Sequence, residues 1–267
     1  MRIFPMRIMA ITAIRRETKR THVSETVAEF RKNEIKALVF DVFGTLVDWR
    51  TSIAREVEIV LSPQGVALDW LVFADAWRQR YQPALEAVRS GRAPFEKLDR
   101  LHRRNLDRVL AEFAIDRVDE AARRRLNLAW HRLDAWPDVG PGLAALRSKY
   151  LLAPCSNGNI SLMVALARRN GFVWDAILGA EVARDYKPKP VVYLSAAAAF
   201  DLKPAETMMV AAHSADLAAA AAAGLRTAFL ARPDECGSGK GEAQPQLPVD
   251  ISVSSLPELA RTLARCA

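Results

Sequence analysis

The residues best suited to chemistry lie in four loops, each of which follows a short apolar segment. They supply two carboxylates, two hydroxyls, an amide, a lysine and an imidazole: Asp41 and Thr45, then Ser156 and Asn157, then Lys187, then His213 and Asp216. If the apolar segments are parallel strands, their carboxyl ends share one edge of a sheet, which is where such sheets bind ligands. Four loops that deliver reactive groups in this order predict one catalytic site.

The apolar segments themselves have the composition of buried strands. The first is residues 35–40, and similar segments follow at 151–155, 176–178, 208–212, 227–230 and 251–253. Most of them lead through a loop into a helix-like segment. This alternation predicts an α/β fold with a Rossmann-like, doubly wound parallel sheet that is covered by helices on both faces.

Residues 49–136 interrupt the alternation. Helical periodicity extends over residues 53–61, 71–88, 95–113 and 118–133 with no clear strand among them, and Pro83 predicts a break in the second helix. We therefore expect an all-helical cap domain of residues 49–136, inserted into a core domain that comprises residues 35–48 and 137–267.

Two further segments have the composition of loops. Residues 1–34 are basic, and Arg7 divides their apolar part, so they fit a secretory signal poorly. We expect either a flexible extension or a translation start placed too far upstream. Residues 234–248 are rich in Gly, Pro and Gln, which predicts a surface loop before the last strand and a helix at 256–265.

The overall composition narrows the class of protein. Hydrophobic residues make up 51% and charged residues 26%, as in globular proteins, and no apolar stretch is long enough to span a membrane. The net charge of +7 is scattered over predicted helices without a nucleic-acid motif, which favours solvated helix faces over a nucleic-acid surface. The cysteines Cys155, Cys236 and Cys266 are odd in number and widely spaced, which favours a reducing, cytoplasmic location.

The four loops resemble the four motifs of the haloacid dehalogenase superfamily. The matching segments are Asp41-Val-Phe-Gly-Thr45, Ser156-Asn157-Gly-Asn, Tyr186-Lys187-Pro-Lys-Pro and His213-Ser-Ala-Asp216. The resemblance extends from residue 35 onward and includes the predicted cap. It implies that Asp41 is a nucleophile that forms a covalent intermediate, and that a helical cap closes over it.

Two positions distinguish this chain from the phosphatases of that superfamily. Those enzymes carry a second Asp two residues after the nucleophile, where Phe43 stands, and another acid four residues before Asp216, where Ala212 stands. Mg²⁺ requires oxygen ligands, and without the metal a phosphate would be repelled by Asp41. Both positions are similar to those of the L-2-haloacid dehalogenase branch, which implies that neither a metal nor another cofactor is needed.

This branch implies a role for each candidate residue. Asp41 would displace the halide from a small anionic 2-halocarboxylate, and water would hydrolyse the resulting ester to a 2-hydroxy acid. Ser156 and Lys187 are expected to bind the substrate carboxylate, and the halide is expected to contact Asn157 and Arg78 or its neighbour Arg80. Phe43, Tyr193 and Trp77 would line the substrate pocket. Thr45 would hydrogen-bond near the nucleophile, and Asp216 and His213 would place or deprotonate the water. The branch also implies a homodimer.

Some features leave alternatives open. Ala211 and His213 stand where the best-described members of the branch have Ser and Asn, and this pattern resembles a subgroup that includes proteins acting on fluorinated acids. Release of fluoride is therefore a hypothesis. His213 as an ordinary loop residue and Asp216 as a helix N-terminal acid are the structural alternatives. A magnesium-dependent phosphatase or phosphonate hydrolase, and an inactive binding homologue, are the functional ones.

Overall fold

A computed structural model describes residues 34–264, so that residues 1–33 of the predicted extension, and Cys266, lie outside the described residues. The core is a six-stranded sheet made of β1 (Ala37–Phe40), β4 (Leu151–Ser156), β5 (Leu178–Gly179), β6 (Thr207–Ala211), β7 (Arg226–Leu230) and β8 (Ile251–Val253). The strand order is β5-β4-β1-β6-β7-β8, and all pairs are parallel. The predicted α/β fold is confirmed.

The central strands are buried because helices cover both faces of the sheet. Every residue of β1 and β6 is buried, and the apolar side chains of Val39, Met209 and Phe229 pack in one cluster with those of the helices. The helices of the core are α6 (Val139–Arg147), α7 (Ile160–Asn170), α8 (Ala180–Ala183), α9 (Pro190–Ala198), α10 (Ser214–Ala222) and α11 (Leu256–Ala264).

In the sequence, a helical cap is inserted between the first core strand and the other strands of the sheet. Its helices are α1 (Trp49–Leu61), α2 (Trp70–Gln79), α3 (Tyr81–Arg89), α4 (Leu98–Glu112) and α5 (Glu120–Asn127). The chain enters it through β2 (Val47–Asp48) and leaves through β3 (Asp134–Ala135), and these two strands pair antiparallel. The insertion therefore begins and ends at one point beside the nucleophile loop.

The ends of the cap helices follow from local side-chain chemistry. Asp48, Asp69 and Asp119 accept hydrogen bonds from backbone N–H groups in the first turns of α1, α2 and α5. The predicted helix over 71–88 is interrupted at Arg80. Because Pro83 has no N–H for the Gln79 carbonyl, the first helix ends there and Pro83 falls in the first turn of the next one.

Within residues 34–264, no helix has both the length and the apolar character that crossing a membrane requires. Several arginines of the cap pair with acids on helix faces instead. Arg103 contacts Asp107 and Glu120, and Arg123 also contacts Asp107.

Candidate active site

Asp41 lies at the carboxyl end of β1, and its carboxylate is held by three side chains. Its Oδ1 accepts a hydrogen bond from Lys187 Nζ at 2.8 Å, and its Oδ2 accepts one from Thr45 Oγ1 at 2.8 Å. His213 Nδ1 lies 3.2 Å from the same Oδ2. Burial opposes ionisation of Asp41, but the Lys187 ammonium and the His213 ring outweigh it and hold the pKa of Asp41 well below its usual range. The carboxylate is charged and fixed in orientation.

The turn after Asp41 sets the direction of the Thr45 hydroxyl. Gly44 has a φ of +82°, a conformation that glycine adopts without strain. Thr45 Oγ1 accepts a hydrogen bond from the Ala212 N–H at 2.9 Å, and its single proton is directed at Asp41. Thr45 therefore joins the nucleophile to the end of β6.

Lys187 is buried between two carboxylates. Its Nζ lies 2.8 Å from Asp41 Oδ1 and 2.5 Å from Asp216 Oδ2. Burial opposes the charge of Lys187, but the two carboxylates raise its pKa well above its usual value. Tyr193 donates its hydroxyl to the other oxygen of Asp216 at 2.6 Å, and the Lys187 N–H donates to Asn157 Oδ1 at 2.8 Å. Four of the predicted residues thus form one hydrogen-bonded network with Asp41.

Arg78 brings a positive charge from the cap to the same cavity. Its guanidinium lies over the rings of Tyr81, Trp49 and Phe43, at 4.3, 5.3 and 5.9 Å from their centroids. Its Nη1 is buried and has no hydrogen-bond partner among the described residues. Arg80, the alternative, instead pairs with Glu112 on the surface. A half-buried cation with a buried, unused donor beside a cavity suits a small anion.

Aromatic side chains form the base of the cap above Asp41. Phe43 is buried, with its ring edge-on to Tyr81, His102 and Trp130. Burial lowers the pKa of His102 to about 3, so this ring is neutral. Trp77 belongs to the same cluster and donates its indole N–H to the His102 carbonyl at 3.0 Å. The cluster makes the surroundings of the cavity apolar.

A cavity of about 690 Å³ brings most of the predicted residues together. Seven of them line it: Asp41, Phe43, Arg78, Asn157, Lys187, His213 and Asp216. Ser156 and Trp77 do not line it. Ser156 is buried and its Oγ accepts the Gly158 N–H at 3.0 Å, whereas Trp77 packs inside the cap. Tyr193 lies behind Asp216. The substrate contacts of these three residues stay predictions.

Glu235 is the part of the site that the sequence did not reveal. The stretch 231–250 is irregular, but the prediction that residues 234–248 are a surface loop is wrong for Glu235, which is only 5% exposed. Its Oε2 lies 2.8 Å from His213 Nε2, and its Oε1 accepts the indole N–H of Trp49 at 3.0 Å. Trp49 and Glu235 are 186 residues apart in the sequence, and no motif marks the acid.

The positions that carry oxygen ligands in the related phosphatases have other roles in this chain. Phe43 packs in the aromatic cluster, and the backbone N–H of Ala212 supports Thr45. Among residues 34–264, no three His, Cys, Asp or Glu side chains are grouped so that they could hold a metal ion.

Comparisons with known proteins agree with this geometry. A family model described as haloacid dehalogenase-like hydrolase matches residues 35–224. The (S)-2-haloacid dehalogenase 1 of Pseudomonas sp. strain CBS-3 is 29% identical over 235 residues, which are 86% of this chain and 97% of that protein.

Two solved structures resemble the chain more closely. The defluorinating L-2-haloacid dehalogenase Rha0230 is 45% identical with a TM-score of 0.84, over 86% of this chain and 95% of that one. The L-2-haloacid dehalogenase PA0810 is 45% identical with a TM-score of 0.83, over 86% and 99%. Because the family model spans most of the chain and these relatives share its cap and core, the chain belongs to the haloacid dehalogenase-like hydrolases, in their L-2-haloacid dehalogenase branch.

Proposed function

We propose that this protein is a hydrolytic dehalogenase of short 2-haloalkanoic acids, with Asp41 as the nucleophile. The observation that carries the proposal is the presence of two opposite charges in the lining of one cavity. Asp41 is ionised there, and Arg78 has a buried Nη1 that has no partner among residues 34–264. Relatives named as 2-haloacid dehalogenases support the same reaction.

The first step is displacement of the halide by Asp41. Oδ2 faces both Thr45 and His213, whereas Oδ1 accepts a hydrogen bond from Lys187 and from no other side chain within residues 34–264, which leaves a lone pair for attack. Oδ1 forms a bond to C2 of the substrate as the carbon–halogen bond breaks, which inverts C2. The halide leaves towards Arg78 and Asn157, whose N–H groups suit a large, weak acceptor. Lys187 and Ser156 are the proposed partners of the substrate carboxylate.

The second step is hydrolysis of the aspartyl ester. Water attacks Cγ of Asp41, and Asp216 takes the proton of that water. Asp216 is anchored for this by Tyr193 and Lys187. The bond from Cγ to Oδ1 then breaks, and Asp216 gives its proton to the departing alkoxide. The 2-hydroxy acid carries away the original carboxylate oxygen, and Asp41 keeps an oxygen from water and releases the second proton of that water to solvent.

We also propose that the reaction needs no metal ion. The side chains of Phe43 and Ala212 offer no oxygen beside Asp41, and Lys187 supplies a positive charge there. The protein should accept fluoroacetate as well as chloroacetate, since His213 adds a donor next to the nucleophile and a 45% identical relative is described as defluorinating.

The test is halide release from a panel of L- and D-2-haloacids and fluoroacetate with EDTA present. We expect release that EDTA does not affect and that Asp41→Asn abolishes. A single turnover in ¹⁸O-water should place the label in Asp41. No halide release from any acid, together with magnesium-dependent release of phosphate from an aryl phosphate, would refute the proposal in favour of a phosphatase.

We also propose three wider features of the protein. The cap domain is taken as residues 49–136 and the core domain as 35–48 and 137–267. By likeness to its branch the protein is a homodimer, which light scattering after size exclusion tests. Cys155 and Cys236 are free, which is compatible with the cytoplasm.

A further inference from the structure

His213 lies between the carboxylates of Glu235 and Asp41, in a chain of side-chain contacts that begins at Trp49 in the cap and ends at the nucleophile. The Trp49 indole donates to Glu235 Oε1 at 3.0 Å, Glu235 Oε2 lies 2.8 Å from His213 Nε2, and His213 Nδ1 lies 3.2 Å from Asp41 Oδ2. An ionised carboxylate only accepts hydrogen bonds. His213 therefore needs a proton on Nε2 to donate to Glu235, and a second proton on Nδ1 gives a favourable charged contact with Asp41 Oδ2, so two flanking carboxylates favour the imidazolium form.

Glu235 is held too firmly to be an incidental neighbour. It is 5% exposed, one of its oxygens is fixed by Trp49, and it fills the space beside the nucleophile turn. A Cβ at Gly44 would lie 2.0 Å from Glu235 Oε1. The carboxylate is thus packed against the turn that carries Asp41, and this packing sets where the imidazole ring can lie.

We propose that Glu235 is a positioning residue that keeps His213 as a charged donor to Asp41 Oδ2, so that His213 stabilises the oxyanion of ester hydrolysis and does not act as its base. This inference rests on the proposed function and assigns the roles within its second step.

The chemistry of that step explains why a fixed cation is useful. Once Oδ1 has become the ester oxygen, Oδ2 is the ester carbonyl and Asp41 has lost its negative charge. When water attacks Cγ, the electron pair of the carbonyl moves to Oδ2, where Thr45 Oγ1–H and His213 Nδ1–H both donate. The proton of the water goes to Asp216 and then to the departing alkoxide. Donors placed in advance at a developing oxyanion lower the barrier directly.

Glu235 decides whether His213 keeps its charge at this stage. In the free enzyme, burial opposes the charge, but Asp41 and Glu235 together raise the pKa of His213 to about 10. In the ester intermediate Asp41 is uncharged, so Glu235 is the contacting carboxylate that still holds a charge beside His213. The cavity that His213 faces also carries charged groups on several other elements: Arg78, Glu86, Arg89, Lys187, Lys189, Asp216 and Glu242.

The charge of His213 gives ester hydrolysis a definite dependence on pH. An imidazolium is present below its pKa and is lost as pH rises through it. Without the charge of Glu235, the pKa of His213 in the intermediate falls towards its ordinary value, so the donor loses its charge in the neutral range. Hydrolysis should then slow between pH 6 and 9, whereas the wild-type rate stays level there.

The experiment separates the two steps of one turnover in Glu235→Gln, Glu235→Asp and the wild type. Rapid-quench measurements with excess enzyme and chloroacetate give the rate of chloride release, and intact mass spectrometry follows the carboxymethyl ester. For Glu235→Gln we expect chloride release within about threefold of wild type and ester hydrolysis about 10- to 100-fold slower at pH 8, since a donor is weakened but not removed. The ester should accumulate. Glu235→Asp, which keeps the charge, should recover part of the alkaline rate.

Glu58→Gln is the matched control, because Glu58 is exposed on α1, and it should match the wild type in both steps. Equal slowing of both steps in Glu235→Gln at every pH would overturn the proposal, because that is the pattern of a purely structural residue. So would a wild-type hydrolysis rate that rises through one ionisation near pH 6.5, which is the behaviour of a base. If Glu235→Gln does not fold, Glu235→Asp and the wild-type profile decide. Absence of chloride release from the wild type contradicts the proposed function instead.

Discussion

Lys187→Met is the most direct test of whether Lys187 keeps Asp41 ionised. The substitution keeps an unbranched side chain of similar length and removes the ammonium that lies between Asp41 and Asp216. Both carboxylates touch that one nitrogen, so its loss leaves a buried and a half-buried negative charge beside each other. Such a pair holds a proton that the wild type releases.

Coulomb's law gives the expected rise in the pKa of the Asp41–Asp216 pair in Lys187→Met. At an effective dielectric constant of about 20, two unit charges about 5 Å apart repel by about 3 kcal/mol, which corresponds to about 2 pKa units. Loss of the attraction to Lys187 raises the pKa of the pair further. Removal of one partner from a buried ion pair destabilises a fold by about 3–5 kcal/mol.

The pH dependence has opposite signs in the two proteins. In the wild type the pKa of Asp41 lies below its unfolded value, so the stabilisation is present above about pH 4 and is lost as pH falls. In Lys187→Met the pKa of the Asp41–Asp216 pair is raised, so stability falls as pH rises through it. We expect the acid limb of kcat/KM to move up by at least about 2 pH units, and the loss of stability to be larger at pH 8 than at pH 5.

The assays are chloride release from chloroacetate between pH 4 and 10 and urea unfolding at pH 5 and 8. Lys149→Met, at an exposed position, is the control for loss of a lysine. An acid limb in Lys187→Met that coincides with that of the wild type would refute the view that Lys187 keeps the nucleophile ionised.

Three further substitutions test separate parts of the site. Gly44→Ala forces a side chain into a positive-φ position against Glu235, and should lower the free energy of unfolding by at least about 1–3 kcal/mol in urea titrations; an unchanged midpoint contradicts this. Tyr193→Phe removes a donor to Asp216, a bond of about 1.5–3 kcal/mol, and single-turnover assays should show slower ester hydrolysis with an unchanged chloride burst. Arg78→Met should lower kcat/KM for chloroacetate by at least about a hundredfold, as expected for about 3 kcal/mol of lost anion binding, whereas Arg80→Met should have little effect; equal losses would place the halide elsewhere.

The strands and the order of the catalytic loops are readable from the sequence because both depend on local composition. The predicted strand at residues 35–40 is observed as Ala37–Phe40, and the one at 251–253 has the same bounds as predicted. The break between α2 and α3 was predicted from Pro83 but lies at Arg80, since proline disrupts the bond to the residue four positions earlier.

Other parts of the site depend on contacts that composition does not encode. Glu235 lies in a segment without periodicity, and its burial depends on how that loop folds back onto Trp49 and His213. The burial of Ser156, whose Oγ accepts the Gly158 N–H, is likewise a matter of local loop geometry. The motif places such a residue near the site but does not determine which way its side chain points.

Phe43 has a consequence for how this chain can change in evolution. Its ring is enclosed by Tyr81, His102 and Trp130, so Phe43→Asp would leave a cavity that costs about 3–5 kcal/mol and would place an unpaired carboxylate among apolar rings. A first step towards a metal-dependent relative would therefore be damaging until several cap residues had also changed. The aromatic packing around Phe43 therefore makes a change to metal-dependent chemistry by single substitutions unfavourable.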